Sequence, residues 1–165
     1  MSQNYTKCRE DDKVTKMLNF QTSKSNIHII ARGLLMYGEE IILCRVKNVD
    51  WFFLPGGHVR DGESTRAALL RELSEEMGNS DYKVASFVGV CENIFPLEEN
   101  VLQHEVNIIF KVDVPSKLKI DVKEDHIEFV NVNKNDLKDY KILPPALKVG
   151  LLGWLKDERP FFKEI

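Results

Sequence analysis

Apolar and polar positions alternate in two distinct rhythms along this chain. From Asn26 onward, Ile27–Met36 (IHIIARGLLM) is an apolar run rich in β-branched residues, the mark of a buried strand. Tyr37-Gly38-Glu39-Glu40 reads as a turn, and Ile41–Val46 (IILCRV) as a second strand closing a hairpin. Asp50–Leu54 (DWFFL) is a short aromatic strand in the same reading, and Pro55–Gly62 is a glycine-rich loop. The rhythm then switches to a helical one over Ser64–Met77, with Asn79 and Ser80 as breakers. Strands are expected at Tyr82–Cys91, Glu105–Val114 and Ile127–Val132. A closing helix is expected over Pro145–Lys156, with Leu147, Leu151, Leu152 and Leu155 on one stripe and proline in the first turn.

Strands with one helix in the middle and another at the end imply an α+β architecture, a mixed sheet flanked by helices. The 165 residues suit one domain, spanning 26–165, preceded by a polar arm over 1–25 that lacks periodicity. The net charge of −3 gives no electrostatic case for broad nucleic-acid binding. No apolar run approaches the ~20 residues of a membrane span, and the N-terminus has no apolar signal core. Cys8, Cys44 and Cys91 are odd in number and widely spaced, so they read as free thiols of a reducing compartment, the cytosol.

The chemistry concentrates in Gly57–Gly78 (GHVRDGESTRAALLRELSEEMG). On a helix, Glu72, Glu75 and Glu76 project within roughly a 100° arc, bordered by Leu69, Leu70, Leu73 and Met77 on the side that packs on the sheet. Clustered carboxylates repel, by roughly 0.2–0.5 kcal/mol for an i,i+4 pair such as Glu72 and Glu76. A hard divalent cation relieves that repulsion, and Mg²⁺ prefers carboxylate oxygens and is the natural partner of a diphosphate. Pro55-Gly56-Gly57 lets the backbone approach a ligand closely, so that a glycine carbonyl can complete a metal shell. Asp61-Gly62 re-aims the chain, and Ser64 is placed to cap the helix.

The pattern Gly-x5-Glu-x7-Arg-Glu-Leu-x-Glu-Glu-x-Gly, filled by Gly57, Glu63, Arg71, Glu72, Glu75, Glu76 and Gly78, resembles the signature box of the Nudix hydrolases. One slot departs from it, since Asn79 stands where the family usually has an aliphatic residue. The resemblance implies an αβα sandwich and a Mg²⁺-dependent hydrolase, with Mn²⁺ as an alternative ion. Its bond would be a pyrophosphate in a nucleoside diphosphate joined to another moiety. It implies metal ligation by Glu72, Glu75, Glu76 and the carbonyl of Gly56 or Gly57, with one glutamate positioning or deprotonating water. Arg71 would orient the glutamates and Glu63 would brace the turn into the helix. Many members add a distal acidic residue as ligand or base; Glu128 is the first candidate, with Glu124 and Glu105 as alternatives. Competing readings are a MutT-type nucleoside triphosphate pyrophosphohydrolase, an RNA 5′-pyrophosphohydrolase and a Nudix-fold binding module without turnover. A homodimer is common in the family, but nothing in the residues demands one.

Trp51, Phe52 and Phe53 read first as core fillers and second as a surface on which a base can stack. Phe95-Pro96 sits where relatives often sort substrates. His28, His58, His104 and His126 show no ligand-like spacing, and His104-Glu105 is placed either to face the cleft or to sit on a strand edge.

Overall fold

The computed structural model describes residues 27–78, 81–98, 101–114 and 126–164. The expected N-terminal arm, Cys8, Asn79 and Glu124 lie outside them. Strands β1 (Ile27–Tyr37), β2 (Glu40–Val46), β3 (Gly56–His58), β4 (Lys83–Glu98), β5 (Val101–Asp113), β6 (Ile127–Asn133) and β7 (Phe161–Glu164) form one mixed sheet. Its order is β6-β2-β1-β5-β4-β7, with β3 paired to β1 beside β2. The contacts β1·β5 and β4·β7 are parallel and the others antiparallel. Helix α1 (Thr65–Met77) covers one face, and helix α2 (Pro145–Asp157) with a 3₁₀ turn at Lys134–Asp139 covers the other. The arrangement is the αβα sandwich implied by the box.

Period-2 alternation in β1 divides the core in two. Ala31 and Leu35 pack with Leu69, Leu73 and Met77 of α1, whereas Leu34 packs with Leu147, Leu151 and Trp154 of α2. Ser64 caps α1 as its position implied, accepting a hydrogen bond from the Ala67 N–H, and Gly78 ends it in the left-handed region at φ 70°.

Four stretches depart from the sequence reading. Asp50–Leu54 is not a ladder strand: Phe53 bridges Cys44 while Phe52 bridges Ile142, so each residue serves a different neighbour and no run of pairs develops. The start of the glycine loop does pair, as β3, because Gly56 adopts φ 121° and a Cβ there would strike the Ala31 carbonyl. The β4–β5 hairpin runs on through Glu98 and Val101, absorbing Pro96 opposite Leu102 with a register shift beside it. Finally, β7 adds to the outer edge of β4, and Phe161 rests where side chains at Gly89 and Gly150 would collide with it.

No helix among the described residues is long and apolar enough to cross a membrane. Cys44 and Cys91 are buried free thiols, and burial pushes both up in pKa, Cys91 to about 11.

Candidate active site

The box folds around Arg71. Its guanidinium grips Glu63 in two-pronged fashion, Nε to Oε1 at 2.9 Å and Nη2 to Oε2 at 3.0 Å. It also donates to Glu72 at 2.6 Å, to Glu75 at 3.1 Å and to the carbonyl of His58 at 3.1 Å. One cation thus ties the start of the box, the β3 strand and two of the three helical glutamates. The Arg71 hydrogen bonds, joined by the Arg60 N–H, hold the Glu63 carboxyl at about 2, and Glu63 together with Glu72 holds Arg71 firmly protonated.

The three helical glutamates sit at graded depth. Glu76 is buried, at 7% exposure, among the apolar residues of the inner face. A buried carboxylate needs compensating hydrogen bonds, and the Gly56 N–H donates to Glu76 Oε2 at 3.2 Å. Glu72 is half-buried, and Glu75 reaches solvent, where Arg60 approaches it at 3.8 Å. Among the described residues, no three acidic, histidine or cysteine side chains converge as a ready-made cage. The reason is visible: Arg71 draws Glu72 and Glu75 toward Glu63, while Glu76 turns beneath Gly56. The donor set still fits a hard divalent ion, since all its donors are oxygens. Gly57 leaves room for one, because a Cβ there would lie 2.5 Å from the Glu72 Oε2.

Arg32 joins this cluster to a cavity on the α2 face. It comes from the middle of an apolar strand and donates to the carbonyls of Leu54 at 3.0 Å and Gly56 at 2.8 Å. Burial pushes its pKa down, and the nearby Glu76, Glu105 and Glu72 carboxylates oppose that. Its Nε reaches Asn107 Oδ1 at 3.3 Å, and its guanidinium lies 5.5 Å from the Phe53 ring centroid. The cavity, about 520 Å³, has Trp51, Phe53, Phe95 and Pro144 among its apolar lining, and Arg32, Asn93, Glu105 and Asn107 as its polar one. Trp51 and Phe53 are 5.8 Å apart, whereas Phe52 between them is buried in the core. The aromatic triplet is therefore divided: one ring fills the core and two face the cavity.

Of the distal acidic candidates, Glu128 lies on β6 in register with Arg45 of β2, and the two form an ion pair of 2.8 Å. Glu105 lies on β5 and lines the cavity. His104 pairs across the hairpin with Glu92 at 2.6 Å, and His28 meets the exposed His58 edge-on at 5.1 Å. Arg32 and Asn107 carry site geometry that sequence reasoning passed over. The signal was present in both: a single polar residue inside an apolar strand run.

Residues 27–150 match the NUDIX domain. The chain is 29% identical over 131 residues to the ADP-ribose pyrophosphatase of Methanocaldococcus jannaschii, covering 76% of this chain and 75% of that one. In structure it resembles a MutT protein from Bacillus halodurans with a TM-score of 0.67 at 16% identity, covering 82% and 86% of the two chains. It also resembles the dihydroneopterin triphosphate pyrophosphohydrolase of E. coli, with a TM-score of 0.63 at 12% identity over 79% and 95% of the chains. Nudix hydrolases generally use divalent metal ions and act on small nucleotide-type substrates. With the domain match spanning most of its length and the signature box folded at one end of the sheet, this chain belongs to the NUDIX family and is a hydrolase of pyrophosphate bonds.

Proposed function

We propose that the substrate is a nucleoside diphosphate linked to a second moiety, and that its pyrophosphate is held at α1 by Mg²⁺ on Glu72, Glu75 and Glu76. The carbonyl of Gly57 is the favoured backbone ligand, because the Gly56 carbonyl already accepts from Arg32 at 2.8 Å. When bound, the metal neutralises phosphate oxygens and lowers the pKa of coordinated water. The chain's own residues do the rest. Arg71 holds Glu72 and Glu75 at the loop, and Glu63 fixes Arg71 in turn. Glu75, the most exposed of the three glutamates, is placed to take a proton from the attacking water. Glu128, committed to Arg45, serves to hold β6 to β2 rather than as the base. The cavity beside Arg32 takes the nucleoside.

The observation that carries this reading is the buried Glu76 bonded to the Gly56 N–H, which sets a carboxylate directly under the glycine loop. Support for the substrate class comes from the relative that acts as an ADP-ribose pyrophosphatase. The test is product release from ADP-ribose, nucleotide sugars, dinucleoside polyphosphates and oxidised dNTPs, with and without Mg²⁺. Glu76→Gln keeps an acceptor for the Gly56 N–H, so the fold should persist while kcat falls by about 100-fold or more. Unchanged turnover in that variant refutes the metal assignment.

A further inference from the structure

The polar side of the cavity contains a conspicuous imbalance. Asn107 is 1% exposed; Arg32 holds its Oδ1, while its Nδ2 finds no hydrogen-bond partner. A buried amide donor left without a protein partner is unfavourable, and an acceptor entering the cavity that Asn107 lines completes it. Two residues earlier on the same face of β5, Glu105 lines the same cavity, and no hydrogen bond or ion pair to its carboxylate occurs among the described residues. Asn93 stands directly opposite Glu105 in the β4–β5 register and also lines the cavity. Carboxylate and amide thus sit beside Trp51, Phe53 and Phe95, rings on which a base stacks.

The chemistry of the edge follows from the geometry of a purine nucleotide. Its glycosidic nitrogen must point back toward the diphosphate, beyond Arg32 and Gly56, so the opposite edge enters deepest. In guanine that edge bears two adjacent N–H donors, at N1 and N2, and a carbonyl acceptor at C6. A carboxylate accepts from both donors at once, and an amide N–H meets the carbonyl. Adenine offers an acceptor at N1, which faces a carboxylate unfavourably, and a donor at C6, which faces the amide N–H. Resting on the functional reading above, we infer that the cavity selects the 2-amino-6-oxopurine edge of guanine over adenine, with Glu105 accepting from N1–H and N2–H and Asn107 donating to O6.

The test separates base selection from hydrolysis by using reaction products. Binding of GMP, IMP and AMP to the full chain is measured by titration calorimetry with Mg²⁺ present. GMP should bind at least about 10-fold more tightly than AMP, and IMP, which lacks the 2-amino group, should fall between them. Glu105→Gln keeps one acceptor but replaces the other with a donor, so it can accept from only one of guanine's two donors while its N–H can meet adenine N1; the preference for GMP should shrink. Glu105→Ala should weaken GMP binding while leaving AMP binding nearly unchanged, a base-specific loss that a purely structural role would not produce. Equal binding of GMP and AMP, no binding of any of the three, or a preference left undiminished in both variants overturns the inference. None of those results touches the hydrolase reading, which fails only if no pyrophosphate bond is cleaved in either guanine or adenine substrates.

Discussion

Replacing Gly57 with alanine is the sharpest probe of the metal loop. Gly57 does not lie in the left-handed region, so alanine adds bulk there without backbone strain. The new Cβ would lie 2.5 Å from both Cδ and Oε2 of Glu72 and 2.9 Å from Oε1. Ordinary contact needs about 3.4 Å, so the carboxylate must retreat by about 0.9 Å, the difference between 3.4 and 2.5 Å. Displacing a positioned catalytic group by about 1 Å costs on the order of 100-fold, or about 2.7 kcal/mol of barrier. Glu72 is half-buried and its side chain can move toward solvent, so stability should change little. The assay is steady-state product release across a Mg²⁺ titration, with thermal melting monitored in parallel. The expected result is kcat/KM down by about 100-fold, a higher Mg²⁺ concentration for half activity and an almost unchanged Tm. Activity within about 3-fold of wild type would mean that the position of Glu72 does not matter to the reaction, and the site as drawn would be wrong.

Gly56→Ala should behave differently, because φ 121° and the Ala31 carbonyl both oppose a side chain; about 1–3 kcal/mol of stability should be lost, read as a lower denaturation midpoint at unchanged slope. Glu63 supplies a pH test. Its folded carboxyl sits at about 2, below the ordinary 4.5, so its contribution is fully present above about pH 4.5 and is lost as pH falls toward 2. Thermal melting followed from pH 6 to pH 2 should therefore show a steeper acid decline in the wild type than in Glu63→Gln, and parallel curves would contradict the Arg71 clamp.

What the residue pattern discloses is local. The helix from Thr65 to Met77, its Ser64 cap, its glycine stop and the shared arc of three glutamates depend only on spacing within one turn or two. The sandwich followed from the order of strand and helix rhythms. Partnerships between distant segments were not legible. Phe52 and Phe53 look alike in sequence, but one bridges Ile142 into the core and the other bridges Cys44 beside the cavity. The hairpin could not be extended past Cys91 because Pro96 argues against a strand unless a register shift accommodates it. Even the glutamate arc conceals a distinction: equal spacing does not reveal that Glu76 goes under the loop and Glu75 into solvent, since the packing of α1 on β1 sets that tilt. Arg32 and Asn107 stood out as charge and amide in apolar runs, but their meaning depends on strands that pair across 75 residues of chain.

Phe161 lies between two glycines belonging to different layers, one on β4 and one on α2. A single aromatic ring therefore sets the permitted volume at both places. Drift at any of the three positions is constrained by the other two, so a homologue that enlarges Gly89 or Gly150 is expected to carry a slimmer residue in place of the phenylalanine. The closing strand and the helix it touches must then evolve as one unit, despite the short loop that separates them in the chain.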